Sequence, residues 1–305
     1  MDSFFFNITD TRYKITKLYK KDSNFINRID ISNGLVFFDI YLENIAQQFT
    51  IKNLDRMIMI PVVSNGELSI YNNSTSKNTI CLENTMDLFC SSRQDFTFKI
   101  KQNKLSKIFI LFISDFYLKR YLSSNSTEPI DFLYKNIQGE NYLDLVNSVS
   151  IDALSLYIIN KITTLNTNSN MQSIIKEHNV IEYLIHRFSL LDFYDSSFSN
   201  EQLDIAKKAK NHLLENFISP PTIKELAHLC ATNESKLKKI FKKVYKNTIY
   251  GYVQELKLKE ANLLLKEQIL NIGQIAKTIG YKHQGHFSKL FFKKYGVYPK
   301  DLLKK

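Results

Sequence analysis

Between Gly280 and Gly296 the chain sets Gln284, Ser288 and Lys289 opposite Phe287, Leu290 and Phe291, with Gly285 beside them and His286 at the edge. Fifty residues earlier, Ser235, Lys238, Lys239 and Lys242 stand opposite Leu237, Ile240, Phe241 and Val244. Apolar residues at i, i+3, i+4 and i+7 line one side of an α-helix, so both segments read as helices with a polar face. Amide, hydroxyl and ammonium groups on such a face suit recognition. In the major groove of a duplex Gln pairs with adenine, Lys with guanine and Ser with either. Lysines farther along a helix neutralise phosphates.

The elements that must hold these faces repeat. "IKELAHLCATNESKLKKIFKKVY" (223–245) aligns with "IGQIAKTIGYKHQGHFSKLFFKKY" (272–295). Ala227 matches Ala276; after one extra residue at the turn, Leu237 matches Phe287, Phe241 matches Phe291 and Tyr245 matches Tyr295. Each copy reads as a short helix, a tight turn and a basic helix, giving helix–turn–helix units at 222–245 and 272–295. Thr222 and Glu225 form a capping box, and Asn233 suits the N-cap of the first basic helix. Gly280 suits a left-handed helix end, and Gly296 with Pro299 closes the second basic helix. Residues 248–267 predict a long connecting helix. Two units held about 34 Å apart by a rigid helix would enter successive major grooves.

Charge is distributed the same way. Of 305 residues, 201–305 hold 21 Lys, no Arg and 9 acidic residues, while the rest of the chain is close to neutral. One lysine-rich helix is also explained by a solvated face. Charge on the same face in both copies, with the one-sided excess, favours a polyanion, nucleic acid ahead of an anionic membrane surface.

The length predicts two domains: 1–194, a serine-rich linker at 195–202, and 203–305. Residues 34–42, 56–63, 67–72, 96–100 and 107–113 predict strands, with a turn at Ser64–Asn65–Gly66. From about 114 the period becomes helical, over 115–122, 150–165 and 171–194. Residues 183–194 are apolar on more than one side, which fits either a core helix or a dimer seam. The fold class is therefore α+β, with a small β-barrel or sandwich first and an all-α domain after it.

Several chemistries find no support. Cys81, Cys90 and Cys230 give neither a disulfide framework nor a four-cysteine zinc site. No His precedes His178, no Ser/His/Asp set or Gly-rich phosphate loop is visible, and we expect no metal and no cofactor. The start "MDSFFFNITD" lacks a secretory pattern, and the longest apolar run, 108–113, is too short to span a bilayer. A soluble cytoplasmic chain without enzymatic activity is expected. The rivals are an enzyme or repair protein with a DNA-targeting tail, which would need a reactive or zinc-bound cysteine set, and a peripheral membrane protein.

Residues 205–303 resemble the DNA-binding domain of the AraC/XylS family of transcription regulators, most specifically over "IGQIAKTIGYKHQGHFSKLFFKKYGVYPKDLL" (272–303). The resemblance implies base-contacting positions at Ser235, Lys238 and Lys239, and at Gln284, Gly285, His286, Ser288 and Lys289. It further implies promoter DNA and RNA polymerase as partners, an activator, and a cupin-like N-terminal sensor that binds a small-molecule effector and forms a homodimer. "GYKHQGHFSKLF" and "NVIEYLIHRFSLL" resemble the siderophore-responsive branch that includes the pyochelin regulator. Departures exist. Gly285 replaces a small hydroxyl residue, Phe292 stands where the first unit has Lys242, and Arg is absent. Lys makes point contacts rather than a planar fork, so an A·T-rich site read partly through shape is expected. The N-terminal half predicts an apolar, aromatic pocket, with its lining unassigned.

Overall fold

The computed structural model describes residues 2–5, 13–91, 94–123, 128–138, 143–164, 171–191 and 199–303. Twelve strands are described: β1 (Asp2–Phe5), β2 (Lys14–Lys21), β3 (Asn24–Ser32), β4 (Leu35–Leu42), β5 (Gln47–Leu54), β6 (Met57–Asn65), β7 (Leu68–Asn72), β8 (Asn78–Cys81), β9 (Thr85–Ser91), β10 (Gln94–Ile100), β11 (Ser106–Ser114) and β12 (Leu143–Ser150). Helices follow: α1 (Asp115–Leu118), α2 (Pro129–Ile137), α3 (Ala153–Thr163), α4 (Gln172–Ser189), α5 (Asn200–Asn216), α6 (Ile223–Leu229), α7 (Glu234–Tyr245), α8 (Ile249–Glu267), α9 (Ile272–Thr278), α10 (Gln284–Tyr295) and α11 (Pro299–Leu302). The mixed class agrees with expectation. The chain divides into two compact units, one of Met1–Ile151 with Ile158–Leu191, the other of Asp152–Tyr157 with Asp192–Lys305. The expected division kept 152–157 and 192–194 with the first domain and set 195–202 apart as a linker.

In the first unit the strands form two open sheets, ordered β1-β5-β10-β7-β8 and β12-β9-β6-β11-β4-β3-β2. The cupin-like barrel expected here is therefore not closed. β11 explains why the sequence reads as a continuous apolar run. Its Ile108, Ile110 and Phe112 join the core between the sheets, while Phe109, from the opposite face, meets Tyr183 of α4 at 6.1 Å. A strand covered on both faces has no polar side. The core between the sheets is filled by Phe38, Phe49, Phe98 and Phe112, with ring centroids 5.1–6.1 Å apart. Cys81 and Cys90 are buried, as apolar residues would be.

β1, β2, β3, β5, β8, β9 and β12 escaped the sequence reading. The edge strand β2, KITKLYKK, is mostly exposed, and its four lysines suit an edge that must not pair with another chain. β12 lies in the stretch expected to be helical and pairs antiparallel with β9. Register with a neighbour overrides a weak local pattern. The first half of the linker expected at 195–202 lies outside the described residues. Its last part, from Asn200, is already the first turn of α5, capped by Ser199.

Asp39, on β4, is half-buried and pairs with the buried Phe109 of β11 and with Asn27 of β3. Burial raises its carboxyl to about 6, against smaller opposite pulls from Lys107 and Lys176. A carboxyl with a raised folded pKa stabilises the fold fully below its unfolded value near 3.8, and that contribution is lost as pH rises through about 6. Asp39→Asn should therefore match the native chain near pH 4 and exceed it at pH 7 by about 1–3 kcal/mol. Thermal unfolding of both proteins at the two pH values reads the difference. An identical gap at both would discard this account.

Candidate nucleic-acid interface

The second unit is built as two half-domains sharing one helix. One apolar cluster gathers Ile205, Ala209 and Leu213 of α5, Leu226 of α6, Leu237 and Phe241 of α7, and Val253 of α8. The other gathers Leu258, Ala261 and Leu265 of α8, Ile275 of α9, Phe287 and Phe291 of α10, and Leu302 of α11. The N-terminal part of α8 thus belongs to the first core and its C-terminal part to the second, as a rigid connector requires.

Local chemistry sets each boundary. Thr222 and Glu225 form a reciprocal capping box on α6, and the side chain of Asn233 accepts the Lys236 N–H at 2.8 Å to start α7. Asn271 and Gln274 make a second box on α9, at the corresponding place in the repeat. The turns differ. In the first repeat Ala231 takes φ +50, a conformation L-residues seldom adopt; in the second repeat Gly280 takes φ +79 at no such cost. A Cβ on Gly280 would lie 2.8 Å from the Ile218 carbonyl oxygen and 2.9 Å from Lys257 Nζ. Lys257 uses this close approach. Its Nζ donates to the Ile218 oxygen at 3.1 Å and lies 5.5 Å over the Tyr281 ring, and burial lowers its pKa. One lysine of α8 therefore ties the end of α5, in the first half, to the turn of the second.

The faces segregate as the periodicity requires. Leu237, Ile240, Phe241 and Val244 are buried on α7, and Phe287 and Phe291 on α10, with Leu290 half-buried. Ser235, Lys238, Lys239 and Lys242 are exposed on α7; Gln284, Gly285, His286 and Lys289 are exposed on α10, and Ser288 is half-buried. Lys238 lies 3.5 Å from Glu234, and the His286 ring meets that of Tyr281 at 5.7 Å. Nothing lies within 4 Å of the Cβ position of Gly285, so the missing side chain leaves open space beside Gln284 and His286. Phe292, where the repeat would put a lysine, is exposed and stacks on Tyr298 at 4.4 Å. The arrangement offers two convex, cationic helix faces able to make hydrogen bonds, each backed by its own core. It brings together no nucleophile with a base. Among the described residues, no group of three or more His, Cys, Asp or Glu is placed to hold a metal ion. No described helix is long and apolar enough to cross a membrane.

Two residues that position the second half went unnoticed in the sequence. Asn262, on α8, is 1% exposed, and Asp152 is 5% exposed. A signal for Asp152 existed, since it precedes a helical run as an N-cap would. Asn262 stands in "ANLLLKE" and gave none.

A short helix, a turn and an exposed basic helix, duplicated about one connector, define a helix–turn–helix protein. Residues 226–305 match the family described as a helix-turn-helix domain, and this part of the chain is a helix–turn–helix domain of the AraC type. The chain is 36% identical over 81 residues to the HTH-type transcriptional regulator AlkR of Acinetobacter baylyi, covering 27% of this chain and 26% of that one. The chain thus spans about a quarter of that relative's length. Solved structures similar to it include ToxT of Vibrio cholerae (14% identity, 88% of this chain and 96% of that one, TM-score 0.32). Another is the C-terminal domain of AraT from Geobacillus stearothermophilus (25% identity, 35% and 86%, TM-score 0.31). The assignment rests on the sequence of 226–305, not on these superpositions.

Proposed function

We propose that this chain is a sequence-specific transcription regulator that binds double-stranded promoter DNA through α7 and α10 and responds to a small molecule as an activator. One observation carries the DNA reading: two repeat-related helices each turn a lysine-bearing face outward from separate cores on a shared helix, with Ser235 beside the lysines on α7 and Gln284 beside Lys289 on α10. Ser235, Lys238, Lys239 and Lys242 then serve one major groove; Gln284, Gly285, His286, Ser288 and Lys289 serve the next. Selection of bound duplexes from a random library tests this. The expected product is two boxes about 10 bp apart, with A·T-rich sequence between them. Absence of any enriched sequence, with equal competition by anionic vesicles, would sink it and favour the membrane-surface reading.

Lys289 is assigned to a base edge. Lys289→Ala should cost about 1–3 kcal/mol at its own position of the second box and relax preference there. Binding weakened equally on all sequences would make it a phosphate contact instead.

The first unit is assigned the sensor role. The space between its sheets is filled, but a groove of about 510 Å³ lies among α1, α2 and α4, lined by Tyr117, Leu118, Tyr121, Leu184, Ile185 and Phe188. Its size and aromatic lining suit a small apolar effector. The exposed Ile174, Ile175 and Ile185 of α4 support a homodimer. RNA polymerase as a partner and a siderophore as the effector rest on the resemblance alone. We assign the chain no catalytic reaction.

A further inference from the structure

Six residues from the middle of the chain, Asp152–Tyr157, belong to the second unit. Ala153 is buried in the same cluster as Leu258, Ala261, Ile275, Phe287 and Phe291, and Tyr157 packs against it. A polar clasp holds the segment. The Asn262 amide donates to Asp152 Oδ1 at 2.9 Å, and Asn262 Oδ1 accepts the Leu154 N–H at 2.8 Å. Asp152 Oδ1 also accepts the Ser155 N–H at 2.8 Å. Both side chains are almost fully buried. Buried polar groups far apart in sequence are tolerated only when satisfied, and a satisfied pair fixes one geometry. An apolar pair would fill the same space without fixing the register of 152–157 on α8.

Asp152 also acts electrostatically on the reading helix. Burial raises the hydroxyl pKa of Tyr295, at the end of α10, and the charges of Asp152 and Glu255 raise it further. Tyr295 packs against Phe291 at 4.6 Å, and Phe291 against Phe287 at 5.7 Å. Ala153 and Tyr157 share one cluster with Phe287, Phe291 and Tyr295, so the clasped segment packs beneath the inner face of α10, whose outer face carries Gln284, Ser288 and Lys289.

We propose that Asp152 and Asn262 are positioning residues for the second reading helix. Residues 152–157 complete the core beneath α10, so the DNA-reading unit comprises 152–157 together with 192–305. The first half has no such dependence, because its cluster draws only on residues from Leu203 onward. This inference rests on the reading of α10 as a DNA-contacting helix.

Full-length Asp152→Leu and Asn262→Ala test it, with Asp152→Asn as the conservative control. Asn at 152 keeps the oxygen that accepts both N–H groups; Leu does not. In the two disruptive variants, amide exchange should speed up about 10- to 100-fold across α9 and α10, and remain unchanged across α6 and α7. Footprints on the selected duplex should lose protection over the second box at native protein concentrations and keep the first. Asp152→Asn should restore both readouts to within about threefold. Exchange that rises uniformly through both halves, or two intact boxes with Asp152→Leu, would overturn the positioning role while leaving the DNA reading in place. A native chain that protects no duplex overturns the reading of α10 itself, and this inference with it.

Discussion

Raising salt from 50 to 200 mM lowers the affinity of the full chain for its selected duplex by about 10³–10⁵-fold, the fall expected when six to ten phosphates are neutralised. The lysines needed for this count are on the surface. α7 exposes Lys236, Lys238, Lys239, Lys242 and Lys243, and α10 with its preceding turn exposes Lys282, Lys289, Lys293 and Lys294. Three of them sit by carboxylates: Lys236 by Glu201 at 2.6 Å, Lys238 by Glu234 at 3.5 Å and Lys294 by Glu255 at 2.5 Å. Ion pairs at this exposure are worth at most about 1 kcal/mol, so a phosphate can displace the carboxylate. With no arginine in 201–305, positive charge reaches DNA as compact ammonium groups, which contribute to the salt slope without a planar fork for guanine. Anisotropy titrations at four salt concentrations give the slope directly. A flat response would rule out the phosphate count, and with it the use of these faces on a duplex.

Phe287→Ala removes about 3–5 kcal/mol from the second half-domain. The ring is fully buried, 5.9 Å from Tyr281 and 5.7 Å from Phe291, inside the cluster that includes Ile275 and Ala276. Its deletion leaves a cavity under the first turn of α10, the turn that carries Gln284, Gly285 and His286. Because the two clusters are separate, the loss should stay local. Hydrogen exchange should rise in α9 and α10, and protection of the second box should vanish while the first persists. The comparison with Lys289→Ala is informative. That substitution lies on the exposed face two positions away and should change stability by no more than about 0.5 kcal/mol. If Phe287→Ala unfolded α6 and α7 equally, the two halves would be one cooperative unit and the separate-core account would fail.

How much was legible depended on whether the cause was local. The capping box at Thr222 and Glu225, the Asn233 cap and the left-handed ends at Gly280 and Gly296 are contacts or backbone preferences spanning four residues or fewer. They appear where the sequence puts them. The strands β4, β6 and β11 were legible because burial on both faces leaves them almost continuously apolar, and β7 and β10 because Leu68 and Ile70, and Phe96, Phe98 and Ile100, alternate with other residues. The other strands were not: β1, β2, β8 and β12 are edge strands, stabilised by a neighbour's register rather than by their own pattern, and β3, β5 and β9 interrupt their apolar residues with polar ones. The lining of the aromatic pocket expected from the N-terminal composition stayed unassigned for a similar reason. Composition supplies the Phe and Tyr residues, but only packing decides that Phe38, Phe49, Phe98 and Phe112 stack on each other and fill the space between the sheets.

Sequence alone determined the duplicated helix–turn–helix plan, the faces of α7 and α10 and the one-sided charge. All three follow from helical period and side-chain type, which act over one or two turns. Tertiary structure alone decided that the sheets stay open, that Lys257 bridges the two halves, and that Asp152 closes on Asn262. The last contact joins positions 110 apart in the chain. No periodicity or cap encodes such a pair, because the energy of a buried polar contact exists only once the surrounding apolar side chains have excluded water.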